Sequence, residues 1–153
     1  LTLHAESRQI ENPEEKIQKI WNDANALAGE PFDLDTPITS LSGGQSRALM
    51  IADTAVLSKS PVVLIDEIEN AGIDRKKALD ILVGQDKIVL MATHDPILAL
   101  MGNRRVVINN GGMKSVVEPS EKERANLTEL RALDDRMMRL RHRLRMGERL
   151  DEV

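Results

Sequence analysis

The chain has 153 residues, 41% hydrophobic and 30% charged, with a formal net charge of -4. This is enough for one globular domain with a core of its own plus an appendage, and the charge gives no global reason to expect nucleic acid or an anionic membrane as partner. Zero cysteines exclude disulfides and thiolate metal sites, and no apolar run approaches the roughly 20 residues of a membrane-spanning helix. The absence of cysteine is compatible with the cytoplasm, and the N-terminus lacks the charged-then-apolar pattern of a signal peptide. The first residue is Leu rather than Met, so the chain reads as a piece of a longer protein.

Leu1 to Ile10 shows no clear period. Asn12-Pro13-Glu14-Glu15 then predicts a helix start, with an Asn cap, a proline where its missing N–H costs nothing, and acids in the first turn. Ile17, Ile20, Trp21, Ala24 and Leu27 follow at helical spacing until Gly29 and Pro31 end the run. Trp21 reads as a core residue and Pro31 to Thr39 as a loop.

The next stretch, Leu41-Ser42-Gly43-Gly44-Gln45, carries chemistry. Ser42 is a helix-capping type, Gly43 and Gly44 let backbone N–H groups approach a bound anion, and Gln45 to Leu57 has helical composition with Leu49, Ala52, Ala55 and Val56 on its apolar side. A serine and two glycines at a helix N-terminus form an anion site. Arg47, within a turn of it, reads equally as a solvated residue or as a contact across a subunit interface. Ser58-Lys59-Ser60-Pro61 stops the helix.

Val62-Val63-Leu64-Ile65 has the length and β-branched content of a buried strand, and Asp66-Glu67 stands at its C-terminal end, where ligands of open α/β sheets bind. One carboxylate there can hold Mg²⁺ while its neighbour orients or deprotonates a water. Arg75 to Val83 reads as a short helix ending at Gly84, and Lys87 to Ala92 as a second buried strand, expected beside the first and parallel to it. His94 sits just past that strand. Asp95-Pro96 starts a short helix through Met101, and Arg105 to Asn109 with Met113 to Val117 flank Asn110-Gly111-Gly112 as a β-hairpin with glycine at the positive-φ positions.

From Ser120 onward the character changes. Leu130, Leu133, Met137, Leu140 and Leu144 alternate by three and four, the pattern of an amphipathic helix with a short heptad seam. Arg136, Arg139, Arg141, Arg143 and Arg145, with His142 among them, form a basic cluster without an acid. The seam suits either a coiled coil or a helix folded back on its own domain, and the cluster either a solvated face or contact with nucleic acid or anionic lipid.

Taken together, the motifs resemble those of the ATP-binding cassette (ABC) ATPases. Leu41 to Gln45 looks like the family's signature motif and Val62 to Glu67 like its Walker B strand, while Asp74 falls near the D-loop aspartate and His94 in the place of the switch histidine. The likeness runs from roughly Thr39 to Val117 with the motifs in family order. It departs at Ile68, where the family commonly has proline, and at Asp74, one residue late. No G-x-x-x-x-G-K-[ST] phosphate loop (Walker A) occurs in the chain.

The resemblance implies an α/β fold: the C-terminal part of a P-loop NTPase domain, parallel strands with flanking helices, a C-terminal β-hairpin and a long terminal helix. Residues 1–118 would be the nucleotide-binding portion, with 1–40 the end of a helical subdomain and its linker and 41–118 running from signature motif to hairpin, and 119–153 would be a charged appended helix. It further implies an ATPase that works as a head-to-tail dimer with ATP and Mg²⁺. Ser42, Gly43, Gly44, Gln45 and Asp74 would bind nucleotide, Asp66 the metal, and Glu67 and His94 would be catalytic. The implied partners are a second nucleotide-binding domain, an N-terminal half carrying Walker A, and a membrane subunit if the protein drives a transporter, in the cytoplasm or at the inner face of a membrane. Without the phosphate loop this piece alone would be inactive. The competing expectation is a non-catalytic dimerisation or nucleic-acid-binding module that uses the Arg-rich helix.

Overall fold

A computed structural model describes residues 1–66, 68 and 73–151. The chain forms two compact units, Leu1–Thr93 and His94–Val153.

The first unit is mixed α/β. Helix α1 (Thr2–Ser7) is followed by α2 (Pro13–Leu27), a 3₁₀ turn (Ile38–Ser40), α3 (Gly43–Leu57), β1 (Val62–Asp66), α4 (Arg75–Val83) and β2 (Ile88–Ala92). Its core gathers Ala5, Ile20, Ala24, Ala52 and Leu57, with Leu1, Ile10, Phe32, Leu49 and Val56 packed around them. Alanines at the crossing of α2 and α3 let the helices approach closely, and the large side chains Ile20 and Leu57 fill the space beside them. The period-less N-terminus is helical because Ala5 is buried there and His4 holds α3. Arg8 donates to His4 Nε2 (2.7 Å), so the ring's Nδ1 donates to Asp53 Oδ1 (3.0 Å).

Helix α2 starts and ends as its caps predict, with one correction. Asn12 occupies the cap position at φ 53°, and its side chain makes no capping bond. Asn tolerates this left-handed backbone, so it turns the chain instead of capping the helix. Trp21, expected in the core, is half-buried and not among the core residues, and its Nε1 donates to the Phe32 carbonyl (3.0 Å). Asn25 accepts from the Phe32 N–H (2.8 Å) and donates to the same carbonyl (3.1 Å), so two side chains of α2 hold the loop that leads towards α3.

Strands β1 and β2 are adjacent and parallel, in register from Val62 opposite Ile88 to Asp66 opposite Ala92. Lys87 donates to the carbonyls of Ser58 and Ser60, fastening the turn before β1 to the start of β2. The strands are not buried on both faces. Leu64 is 75% exposed, Ile88 60% and Leu90 55%, and with Val62 they form one apolar face of a two-stranded sheet. A continuous apolar run signals that both faces require cover; the described residues supply it on one.

The second unit contains α5 (Pro96–Met101), β3 (Arg105–Asn109), β4 (Gly112–Val117) and α6 (Glu121–Arg145). The hairpin turns at Asn110 (φ 49°) and Gly111 (φ 75°), one position earlier than expected, and β4 accordingly begins at Gly112. Two successive positive φ values are what a two-residue hairpin turn needs to match strand twist. Arg105 of β3 pairs with Glu123 of α6 and Arg104 with Glu118 (3.0 Å), while Leu98 and Leu100 of α5 are buried.

Candidate functional site

The N-terminus of α3 is built by Ser42 and Gln45. Ser42 Oγ accepts from the Gln45 N–H (3.2 Å), and Gln45 Oε1 accepts from the Ser42 N–H (2.9 Å), a complete capping box. The same Gln45 amide donates from Nε2 to the carbonyls of Glu30 (3.2 Å) and Pro31 (3.4 Å). One side chain therefore closes the helix end and ties it to the loop held by Trp21 and Asn25. The first amides of a helix have no intrahelical acceptor, and here they include those of Gly43 and Gly44. A Cβ placed on Gly43 would meet nothing within 4 Å. Packing among the described residues therefore gives no reason for glycine at that position, and its amide is open to approach from outside. The partial positive charge of the helix end points the same way.

Asp66 ends β1 and is exposed. Among the described residues no group of three or more His, Asp or Glu side chains is arranged to hold a metal. Glu67, the expected base, lies outside the described residues. Ile68, which stands in the place of the family's proline, is buried. His94 is exposed and opens the second unit, two residues beyond Ala92, and Asp95 after it caps α5 by accepting from Ile97 (2.7 Å) and Leu98 (3.2 Å).

Asp74 has a structural task that spacing did not reveal. It caps α4 by accepting from the Lys77 N–H (3.1 Å), and its own N–H donates to the Leu27 carbonyl (3.0 Å), next to a bridge between Ala28 and Ile73. The end of α2 and the start of α4 are thereby joined. Arg47 lies exposed on α3. The carbonyls of Glu30 and Pro31, which position Gln45, left no sequence signal because backbone acceptors carry none.

Comparison with known proteins gives the lineage. The chain is 49% identical over 150 residues to an uncharacterized ABC transporter ATP-binding protein of Methanocaldococcus jannaschii, a match covering 98% of this chain and 57% of the relative. It is 29% identical over 110 residues to the energy-coupling factor transporter ATP-binding protein of Onion yellows phytoplasma, covering 69% of this chain and 40% of that one. It is 28% identical over 124 residues to a macrolide export ATP-binding/permease protein of Campylobacter jejuni, covering 77% and 18%. The chain thus spans little more than half the length of the first of these relatives and less of the others. No protein-family model matches it, and no solved structure does. The chain belongs to the ABC ATPase family and answers to the C-terminal half of its nucleotide-binding domain.

Proposed function

We propose that this chain is the signature-bearing half of an ATPase that binds and hydrolyses ATP in a head-to-tail dimer, and that residues 1–118 form its nucleotide-binding portion and 119–153 an appended helix. The observation that carries the reading is the α3 terminus: a complete capping box at Ser42 and Gln45 with open space where Gly43 would bear a side chain. Ser42, Gly43, Gly44 and Gln45 act in trans, on ATP held by the phosphate loop of a second domain. Closure is then favoured while a γ-phosphate is present and released after hydrolysis, because the helix end offers partial positive charge to that group. At the ATP held by this protein's own phosphate loop Asp66 holds Mg²⁺, largely through water, Glu67 polarises the attacking water and His94 hydrogen-bonds the γ-phosphate, while Asp74 joins the residues that bind nucleotide.

The chain has the overall α/β character of such a domain, with parallel β1 and β2 and helices α3 and α4. We read the β1–β2 sheet as part of a P-loop NTPase sheet completed by an N-terminal half with Walker A. Transporters named among the relatives support a membrane subunit as a further partner and a cytoplasmic place at the inner face of a membrane. The test is ATP turnover by the full-length protein, with and without Glu67→Gln. Activity abolished by that change supports the reading; no activity in the full-length protein, or activity indifferent to Glu67, refutes it and leaves the non-catalytic module that uses the Arg-rich helix.

A further inference from the structure

Helix α6 ends in a segment with two properties on one surface. Arg136, Arg139, Arg141, Arg143 and Arg145 bring five cations, of which Arg143 pairs with Glu148 just beyond the helix (2.7 Å), and Met137, Leu140 and Leu144 continue the apolar stripe that passes through Leu133. None of these apolar side chains is buried: Met137 is 49% and Leu144 57% exposed. At about 3.6 residues per turn, Arg141 and Arg145 fall on one flank of the stripe and Arg136, Arg139 and Arg143 on the other, with His142 opposite it. Guanidinium stems can lie along apolar surface while the heads reach outward on both sides.

The helix is also pre-formed. Ser120 and Glu123 make a capping box at its start. Gly147, at φ 80°, ends it with bonds from the Glu148 N–H to the Arg143 carbonyl and from the Gly147 N–H to the Leu144 carbonyl, both 3.0 Å. A surface that already holds its helix has less ordering to lose on binding.

We propose that the C-terminal part of α6 docks on an anionic lipid bilayer, lying in its plane with Met137, Leu140 and Leu144 towards the acyl chains and the arginines on the phosphate headgroups. Other occupants satisfy only part of the surface. Nucleic acid would use the arginines and leave the stripe in water. A second copy would cover the stripe, but parallel pairing sets Arg136 against the partner's Arg141, and antiparallel pairing, though it brings Asp134 to the partner's Arg141, sets Arg136 against the partner's Arg143 and leaves Arg139 and Arg145 unanswered. An anionic bilayer answers stripe and flanks at once. The inference goes beyond the ATPase reading and does not depend on it.

The test is flotation of the whole chain with vesicles of phosphatidylcholine alone and of phosphatidylcholine with phosphatidylglycerol, beside a duplex DNA oligonucleotide and sedimentation without lipid. Binding should require phosphatidylglycerol and weaken with salt. Arg139→Gln, Arg141→Gln and Arg145→Gln together should weaken it roughly a hundred-fold, a few-fold per arginine. Met137→Ser with Leu144→Ser should weaken it about ten-fold or more with all arginines in place, helicity by circular dichroism staying unchanged. Equal binding to both vesicle types, none to either, insensitivity to the apolar pair, tighter binding to the DNA, or self-association through Leu144 without vesicle binding would each overturn the proposal.

Discussion

Ser42 and Gln45 each satisfy the other's backbone: the Gln45 N–H donates to Ser42 Oγ at 3.2 Å and the Ser42 N–H to Gln45 Oε1 at 2.9 Å. A motif read as a nucleotide site is therefore also the local device that starts α3. The two tasks need different atoms. The box uses the Ser42 hydroxyl and the Gln45 side chain, while a ligand would be met by the amides of Gly43 and Gly44.

Ser42→Ala should accordingly destabilise the chain by about 1 kcal/mol, the usual cost of a lost N-cap. Gln45→Ala should cost at least as much, because it removes the reciprocal bond and the ties to Glu30 and Pro31 together. Denaturant unfolding of the two variants measures this. Equal stability of wild type and Gln45→Ala would show that the box does not hold α3 in solution.

The β1–β2 sheet yields the second expectation. Val62, Leu64, Ile88 and Leu90 lie on one face as cross-strand pairs, all at least 40% exposed. Apolar surface of this kind on a two-stranded sheet promotes association, so the isolated chain should bind an apolar dye and self-associate as concentration rises. Leu64→Thr with Leu90→Thr should reduce both. A compact monomer at all concentrations by light scattering, without dye binding, contradicts the expectation.

What could be read in the sequence was local, and what could not was tertiary. Helix α4 runs from Arg75 to Val83, as its spacing and the glycine after it predict, and the hairpin misses by one position. The first helix was illegible because Thr2–Ser7 is too short to show a period; it is held by burial of Ala5 and by His4 on Asp53. Strand identity was legible at Val62–Ile65, but the exposure of Leu64 was not, since apolar character states a need for cover without saying where the cover is. Residue types indicated the Ser42 cap of α3 and the place of Asp66 at the end of β1. The capping of α4 by Asp74 and its bond to Leu27 depend on where two helices meet, and no pattern in either segment records that.

Glu123 makes a pH-dependent contribution. The backbone N–H of Ser120 first, and then the guanidinium of Arg105, hold its carboxyl below the ordinary value of 4.5. A carboxylate whose folded value is lowered stabilises the fold above the ordinary glutamate range, and the contribution is lost as the pH falls through the lowered value. Glu123→Gln should reduce the helicity or melting temperature of the chain near neutral pH, and the difference from wild type should close in acid. A difference that persists unchanged below the glutamate range would assign the effect to something other than this ionisation.

The division of labour in the proposed ATPase gives the last expectation. Mg²⁺ sites that rely on one carboxylate need substrate phosphates already in place, and a phosphate loop must hold them there. Asp66 by itself should bind the ion only weakly, and this chain alone should not turn over ATP at a useful rate. A full-length protein that supplies the phosphate loop should. In that protein Glu67→Gln keeps the size and removes the base, so ATP should still bind and the closed dimer should accumulate without turnover. Ser42→Arg should act differently. The Ser42 cap stands immediately before Gly43, where the space is open, so a long side chain there blocks approach of a second domain while leaving ATP bound at its own phosphate loop. Nucleotide binding, turnover and dimer fraction, measured for both variants, separate the two losses. If the 153-residue chain alone matched the full-length protein in turnover, the chemistry would not need a phosphate loop from elsewhere, and the half-site reading would be wrong.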